Sequence, residues 1–518
     1  MADLLHELVF ESAERSPTNL ALFHKGNEYQ YHELADYIER LAYGLAELHI
    51  ARRARIAVYL PKQTETVVSF FGVACAGGIF VPVNPALKAD QVAHILGDCD
   101  VEVLITSRSR LDAIGSSISS LKHVRHVVLV GDDANAADET NWTDLVAHKG
   151  RTAGQVIDRD VASILYTSGS TGKPKGVVLS HQNMVAGAKS VATYLLNSEN
   201  DRLLAVLPFS FDYGFSQLST AFLKGASVFP LDYLLPKDVI SAVEKHQITG
   251  LAGVPPLWAQ LSRLEWDDAG ATIRYFTNSG GAMPEPLLRR LRELMPNAAP
   301  FLMYGLTEAF RSTFLPPDQV DHRPTSIGKA IPNAEVMVVR PDGTPCEPDE
   351  IGELVHRGAL VSLGYWNDPE KTNSRFRGLL PKDGEVFPEL AVWSGDKATV
   401  DADGFIYFVG RDDEMIKSSG YRISPDEVEH MLYDLEFVLE AVVFGVPDEE
   451  LGQAVAVVAV ASGEDENPTQ ALLGACRRNL PAYMIPKHIE WLSDLPRNAN
   501  GKINRPLVRQ NLIEKLDV

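Results

Sequence analysis

Up to about position 400, short continuous apolar runs alternate with stretches whose apolar side chains recur every three or four positions. "RIAVYLP" (55–61), "VEVLITS" (101–107) and "HVRHVVLVG" (123–131) are of the first kind, and "HELADYIERLAYGLAEL" (32–48) and "PEPLLRRLRELMP" (284–296) of the second. Continuous β-branched runs read as strands buried on both faces, and the spaced leucines as amphipathic helices. Their alternation predicts an α/β architecture with mainly parallel sheets covered by helices. After about residue 330 the runs become punctuated by glycine: "AEVMVVRPDGTPCEPDEIGELVHRG" sets a "PDG" turn between two alternating segments, which predicts an antiparallel subdomain. The sequence contains no fixed-period repeat and no low-complexity segment.

A boundary is expected at "FVGRDDEM" (408–415), where consecutive acids follow an apolar strand and a new helix and strand pattern begins. Residues 1–410 are read as a large multi-subdomain N-terminal domain, 411–413 as a connector and 414–518 as a small α+β domain. Chemistry that needs both would lie in the crevice between them. One charge-free stretch, "TVVSFFGVACAGGIFVPVNPAL" (66–87), has the length of a membrane-spanning helix. Its internal Gly77-Gly78, Pro82, Asn84 and Pro85 break it, so a buried helix followed by a strand is expected instead.

At 518 residues, 45% apolar and 23% charged, the chain has globular composition and is too long for one core. A net charge of -21 leaves no basic excess for nucleic acid, so a small anionic ligand needs a local basic pocket. Cys75, Cys99, Cys346 and Cys476 fit no metal or redox spacing and read as reduced thiols of a cytoplasmic protein. The N-terminal segment carries acids and no basic n-region, against a secretory signal.

The densest chemistry lies in "YTSGSTGKPKGVVLSH" (166–181), where Thr167 to Gly176 holds three glycines, four hydroxyl residues, two lysines and no acid. Glycines let backbone N–H groups approach a ligand, and the hydroxyls and ammonium groups add donors, which suits polyphosphate oxygens. A Walker A loop would need glycine at Thr167 and Ser or Thr at Pro174, so this is another kind of phosphate loop. The bland alternative is a flexible Gly/Ser turn.

This stretch resembles the phosphate-loop signature of the AMP-forming adenylating enzymes: acyl-CoA synthetases, nonribosomal adenylation domains and beetle luciferase. The resemblance continues in order through "NSGGAMP" (278–284), "YGLTEA" (304–309), "SGDKA" (394–398), "GRDDEMIKSSGYRISPDEVE" (410–429), "LPAYMIP" (480–486) and "NANGKINR" (498–505). It implies attack of a carboxylate on the α-phosphate of ATP, giving an acyl-adenylate and pyrophosphate, followed by capture by a phosphopantetheine thiol. Charge builds on phosphate oxygens, so preorganised cations and donors matter more than a strong base. The resemblance assigns Thr167, Ser168, Gly169, Ser170, Thr171, Gly172 and Lys175 to the phosphates, Thr307 to the α-phosphate and Glu308 to Mg²⁺. The bland reading of Glu308 is a helix N-cap partner. Gly280, Gly281, Ala282 and Tyr304 would frame the adenine, and Asp396 with Arg411 the ribose. Lys502 would reach the α-phosphate and the substrate carboxylate. The small domain would turn about Asp413 and present Lys417, Gly420 and Arg422 to the thiol tunnel.

The acid substrate is addressed by "LPFSFDYGFSQLS" (207–219), in which Asp212 is the only charged side chain. A carboxylate among aromatic residues needs a partner. The segment looks like the "FD" stretch of amino-acid-activating domains, whose acid pairs with the substrate amine. The resemblance carries the other pocket positions onto Tyr213, Ser216, Gly253, Ser279, Met303, Arg311 and Ser312. Either Arg311 pairs with Asp212 and leaves a neutral pocket for a fatty or aryl acid, or Asp212 takes an ammonium and Arg311 a second carboxylate. The second account suits an acidic or β-amino acid and is the favoured expectation. No carrier domain follows residue 518, so the thiol is expected in trans, from a carrier protein or, as the alternative, CoA. A catalytically inactive nucleotide-binding paralogue is the remote alternative.

Overall fold

The computed structural model describes residues 2–131, 134–147, 149–150, 155–167, 174–281, 283, 285–379, 389–411, 415–461, 468–496, 503 and 505–516. Two large sheets dominate up to Arg411. The seven-stranded sheet is built on Arg55–Tyr59, flanked by Ile79–Pro82 and Val103–Thr106. Its strands pair in parallel except at one edge, where Val161–Thr167 meets Lys175–Ser180 antiparallel. That hairpin brings both ends of the phosphate loop to one place.

The 14-stranded sheet is mixed. Strands Ser227–Pro230, Arg202–Ala205, Gly250–Gly253, Tyr275–Asn278 and Ala299–Tyr304 run in parallel. The order then turns antiparallel through Thr313–Leu315, Ser326–Ala330, Ile406–Arg411, Leu390–Val400, Gly352–Gly358 and Ala334–Val339. The antiparallel segment expected from the "PDG" turn is therefore continuous with the parallel sheet rather than set apart from it.

Helices cover these sheets where the periodicity placed them. Helix Tyr31–Glu47 buries Leu34, Ile38, Leu41, Ala42 and Leu45, one stripe at helical spacing, and Glu33 accepts from the backbone N–H of Gln30 at 2.8 Å to close its first turn. The charge-free stretch 66–87 resolves into the buried helix Thr64–Cys75 and strand Ile79–Pro82. Among the described residues no helix is long and apolar enough to cross a membrane. All four cysteines are free.

From Ile416 onward the strands form a separate five-stranded sheet. Its long central pair, Val438–Asp448 and Gly452–Ala461, alternates its apolar side chains between two clusters. Val443, Val455 and Val457 pack with Ile416, Val428 and Leu472 on one face, while Val442, Phe444 and Val458 pack with Val508 and Leu512 on the other. The hairpin Ile416–Ser418/Tyr421–Ile423 projects from this body against the large sheets.

Candidate active site

A cavity of about 960 Å³ opens between the two bodies. Its walls come from the C-terminal ends of parallel strands and the segments that follow them, the place where open α/β sheets receive ligands. Thr167, Ser279, Gly280, Gly281, Met303, Tyr304 and Thr307 all face it, joined by Asp212, Tyr213, Arg311 and Asp396.

At the phosphate-loop end, Lys175 opens strand Lys175–Ser180 and Glu308 sits in the turn Thr307–Ala309. Lys175 Nζ donates to Glu308 Oε1 at 3.1 Å and to the Tyr365 hydroxyl at 3.0 Å, and that hydroxyl donates to Glu308 Oε1 at 2.7 Å. The ammonium also lies 4.3 Å from the centre of the Tyr365 ring. Burial depresses Lys175 to about 8 despite the carboxylate beside it. Burial alone would raise Glu308, but Lys175 and Arg422 outweigh it and hold its carboxyl well below the usual range. Glu308 is thus a firmly charged carboxylate. Thr167 Oγ1 is buried without a hydrogen-bond partner among the described residues. Ser168, Gly169, Ser170, Thr171 and Gly172 lie outside the described residues.

On the nucleoside side, the Tyr304 hydroxyl donates to Asp396 Oδ2, and the Asp396 N–H donates to Ser394 Oγ at 3.0 Å. Asp396 stands opposite Arg411 in the strand register; the Arg411 side chain and Ala282 lie outside what the structure describes. The imidazole of His356 stacks under Tyr304, centroids 6.1 Å apart, and stiffens that wall. Gly280 adopts φ +81°, a conformation that suits glycine, and so turns the chain after strand Tyr275–Asn278 into the cavity.

The acid-pocket floor is set by helix Asp212–Lys224, which starts directly after the loop it packs on. A Cβ at Gly214 would lie 2.0 Å from the Pro208 carbonyl oxygen, so only glycine lets the first turn close over that loop. Asp212 is thereby held at the helix N-terminus, facing inward. Arg311 Nη1 donates to Asp212 Oδ2 at 3.1 Å, and the guanidinium lies 4.6 Å above the Tyr213 ring. Tyr213 is pinned by Thr277 Oγ1 at 2.6 Å and the Gly253 carbonyl at 3.3 Å. Burial raises the Asp212 carboxyl and Arg311 opposes the rise. Ser216 lies behind Tyr213, lining a small separate void, and Ser312 is fully buried.

The small body supplies the remaining wall. Lys417, Gly420 and Arg422 all face the cavity. Gly420 has φ +81°, and a Cβ there would meet Val254 Cγ1 at 2.6 Å, so glycine alone allows this close approach. Contacts not anticipated from the sequence hold the hairpin in place. Phe211 meets Tyr421 edge-on at 5.0 Å, Tyr421 stacks on Tyr483 at 3.6 Å, and Gln91 Nε2 donates to Glu427 Oε1 at 2.7 Å. Glu427 Oε2 is buried without a partner among the described residues, and burial raises its carboxyl to about 7. Asp413 and Lys502 lie outside the described residues. Tyr365 was missed because a tyrosine between glycine and tryptophan carries no mark of polarity. Gln91 and Glu427 likewise look like ordinary surface positions in sequence.

A two-body α/β fold with a crevice at the strand ends is the architecture of an adenylate-forming enzyme. The chain belongs to the AMP-binding enzyme family: that family's profile matches residues 9–366, and the profile of the AMP-binding enzyme C-terminal domain matches residues 427–502. It is an AMP-forming, acid-activating ligase. Feruloyl-CoA synthase of Amycolatopsis sp is 32% identical over 96% of this chain and 97% of its own length. Gramicidin S synthase 2 of Aneurinibacillus migulanus is 28% identical over 97% of this chain, which spans 11% of that much longer protein. The structure of o-succinylbenzoate CoA synthetase from Bacillus subtilis superposes with a TM-score of 0.83 at 26% identity, covering 97% of this chain and 98% of the other.

Proposed function

We propose that this ligase activates an amino acid with ATP and passes the acyl group to the phosphopantetheine thiol of a carrier protein. Residues 1–410 act as the adenylating body, 411–413 as the hinge about Asp413, and 414–518 as the mobile body. The observation that carries the amino-acid reading is Asp212: a carboxylate at the floor of the acid pocket, met there by one donor of Arg311. A fatty or aryl tail would leave that charged floor without a polar ligand.

The residues present fit Mg²⁺ and a polyphosphate. Thr167, whose hydroxyl has no partner among the described residues, and Thr307 line the cavity, and the paired Lys175 and charged Glu308 carboxylate are their neighbours in the chain. Among the described residues no group of three or more His, Cys, Asp or Glu could enclose a metal, so Glu308 would share the ion with phosphate oxygens. When bound, Mg²⁺ supplies neutralisation of the charge developing on those oxygens. Lys175 holds phosphate oxygens and, with Tyr365, orients Glu308. Tyr304 stacks the adenine and steers Asp396, which accepts hydrogen bonds from the ribose hydroxyls, with Arg411 opposite it in the strand register. Thr307 donates to the α-phosphate. Lys502, by family position, bridges that phosphate and the attacking carboxylate, and Lys417, Gly420 and Arg422 line the approach of the thiol.

The test is acid-dependent ATP–pyrophosphate exchange over a panel of amino, fatty and aryl acids, with Lys502→Ala as control. Exchange driven by an amino acid and abolished in Lys502→Ala is expected. If octanoate or benzoate outperforms every amino acid, the role given to Asp212 is wrong, and a CoA ligase of such acids becomes the better reading. The "LPAYMIP" and "NGKINR" motifs favour a carrier protein as acceptor; parallel assays with CoA and a phosphopantetheinylated carrier decide between them.

A further inference from the structure

The row of strand ends that forms the cavity runs past the acid pocket to a second end. In the sheet order Tyr275–Asn278, Gly250–Gly253, Arg202–Ala205, Ser227–Pro230, three strand spacings separate the nucleoside wall at Gly280 from the segment after Pro230, roughly 14 Å. That segment brings Asp232 and Tyr233 into the cavity, which Lys62 also lines. The Lys62 side chain is 9% exposed; its Nζ donates to the Val206 carbonyl at 2.6 Å and lies 3.4 Å from Asp232 Oδ1, and its N–H donates to Asp232 Oδ2 at 2.9 Å. An ammonium and a half-exposed carboxylate make this end polar, a wall suited to amide groups rather than to an alkyl tail. The two bodies meet here: Tyr421 of the small-body hairpin, its hydroxyl raised chiefly by burial, is raised further by Tyr233.

Directly beyond Tyr233 the chain turns outward on a pair of leucines. Leu234 is 92% exposed, the most of any large apolar side chain among the described residues, and Leu235 is 63% exposed. The turn that carries them is fixed. Asp238 Oδ2 accepts from the Leu234 N–H at 3.0 Å and from the Leu235 N–H at 2.9 Å, and Pro236 opens the helix Pro236–His246 that follows. A turn held by its own backbone and presenting adjacent leucines to water keeps apolar area exposed, and a covering surface would remove that cost.

We infer that the Leu234–Leu235 turn is the large body's docking point for the carrier protein: an apolar face of the carrier covers the leucines while its phosphopantetheine arm passes Tyr233 and the Lys62–Asp232 pair into the cavity. This rests on the carrier-protein reading of the acceptor and locates the partner's contact. Tyr233 lines the cavity and Leu234 is the next residue, so whatever delivers the thiol at this end passes the turn. Of the two kinds of thiol donor, a protein has the apolar surface to cover adjacent leucines. CoA would bring a polyanionic nucleotide head to a lip where the Asp232 side chain is 54% exposed and Lys237, the nearest cation after it in the chain, stands next to Asp238. The amides of the arm offer N–H groups to Asp232 and carbonyls to Lys62.

The double variant Leu234→Ser/Leu235→Ser tests this in the full-length enzyme. The assays use an acid that drives ATP–pyrophosphate exchange and, as thiols, a panel of phosphopantetheinylated acyl and peptidyl carrier proteins, CoA and free pantetheine. The carrier concentration that gives half-maximal thioester formation should rise at least about tenfold, while exchange and transfer to pantetheine stay at wild-type rates. Unchanged dependence on the carrier overturns the inference. An equal loss with pantetheine also overturns it, because the turn would then shape the port and not dock a protein. Light scattering that finds a wild-type dimer broken by the substitutions overturns it as well, since a second copy would be the occupant. A wild-type enzyme that loads CoA and none of the carriers overturns the carrier-protein reading itself. Leu234→Glu, which sets a charge against the carrier's apolar face, should weaken transfer to the carrier more than Leu234→Ser; equal effects count against an apolar contact.

Discussion

Two carboxylates line the same cavity from different bodies and meet opposite kinds of neighbour. Asp212, on the large body, faces the guanidinium of Arg311; the Glu427 carboxyl, on the small body, takes a hydrogen bond from the neutral amide of Gln91. Both are raised by burial, but at Asp212 a cation opposes the rise, whereas at Glu427 a neutral amide opposes it weakly and the carboxyl titrates at about 7. Tyr483, also near Glu427, is raised by burial and by neighbouring Tyr421 and Glu427, which keeps its hydroxyl neutral. The contrast separates two uses of a buried acid. A charge kept with a permanent partner suits recognition of a charged ligand. An acid without one suits a contact that has to form and part.

The strongest way to break the contrast is to remove the cation. Arg311→Met leaves Asp212 buried and unpaired and should cost about 3–5 kcal/mol in chemical denaturation, with most of it recovered in Asp212→Asn/Arg311→Met. Glu427→Gln, which removes a charge that has no counter-charge, should be close to neutral in the same assay. If the two single variants behave alike, the distinction between the sites is lost.

Next in size is the steric fit of the small body. Gly420→Ala places a Cβ 2.6 Å from Val254 Cγ1 at φ +81°, a strain of about 1–3 kcal/mol. Single-turnover assays should show thioester formation slowed more than pyrophosphate exchange. Equal loss in both steps would count against a close approach specific to the docked hairpin.

If the small body moves as proposed, Glu427 should make its docking depend on pH. Its carboxyl is raised from 4.5 to about 7 by burial, and the proposed movement of the small body implies that this rise is lost when the bodies part. Protonation therefore favours contact. This contribution is complete below the ordinary carboxylate range, falls by up to about tenfold per unit between that range and about 7, and is gone above about 7. An interdomain fluorescence pair followed from pH 5 to 9 should show the midpoint, and Glu427→Gln should flatten it; a wild-type curve that matches Glu427→Gln refutes the role. The smallest effect is expected from Gln91→Leu, since the Gln91 hydrogen bond lowers the Glu427 carboxyl: its loss should move the same midpoint upward by a fraction of a unit. A midpoint that moves down would show that Gln91 stabilises the protonated form instead.

Much of this was legible before any coordinates. Hydrophobic spacing located strands Arg55–Tyr59 and Val103–Thr106 and helix Tyr31–Glu47, because one-sided or complete burial imposes its period on the chain. The phosphate loop and the motifs after it pointed to the chemistry because catalysis at phosphate demands local clusters of glycine, hydroxyl and lysine. Asp212 and Arg311 stood out as isolated charges in apolar or small surroundings. Tyr365 did not, although its hydroxyl joins Glu308, 57 positions away, to Lys175, 190 positions away.

By itself, then, the sequence determined the α/β architecture and the family, since these follow from local periodicity and short motifs. Only the tertiary structure decided which charges meet. The Asp212–Arg311 contact spans 99 positions and the Gln91–Glu427 contact 336, and a hydrogen bond between such distant residues depends on how whole sheets and bodies pack. The setting of the buried Arg311 guanidinium is of that kind: it is fixed by the turn at Phe310, the ring of Tyr213 and the helix that carries Asp212.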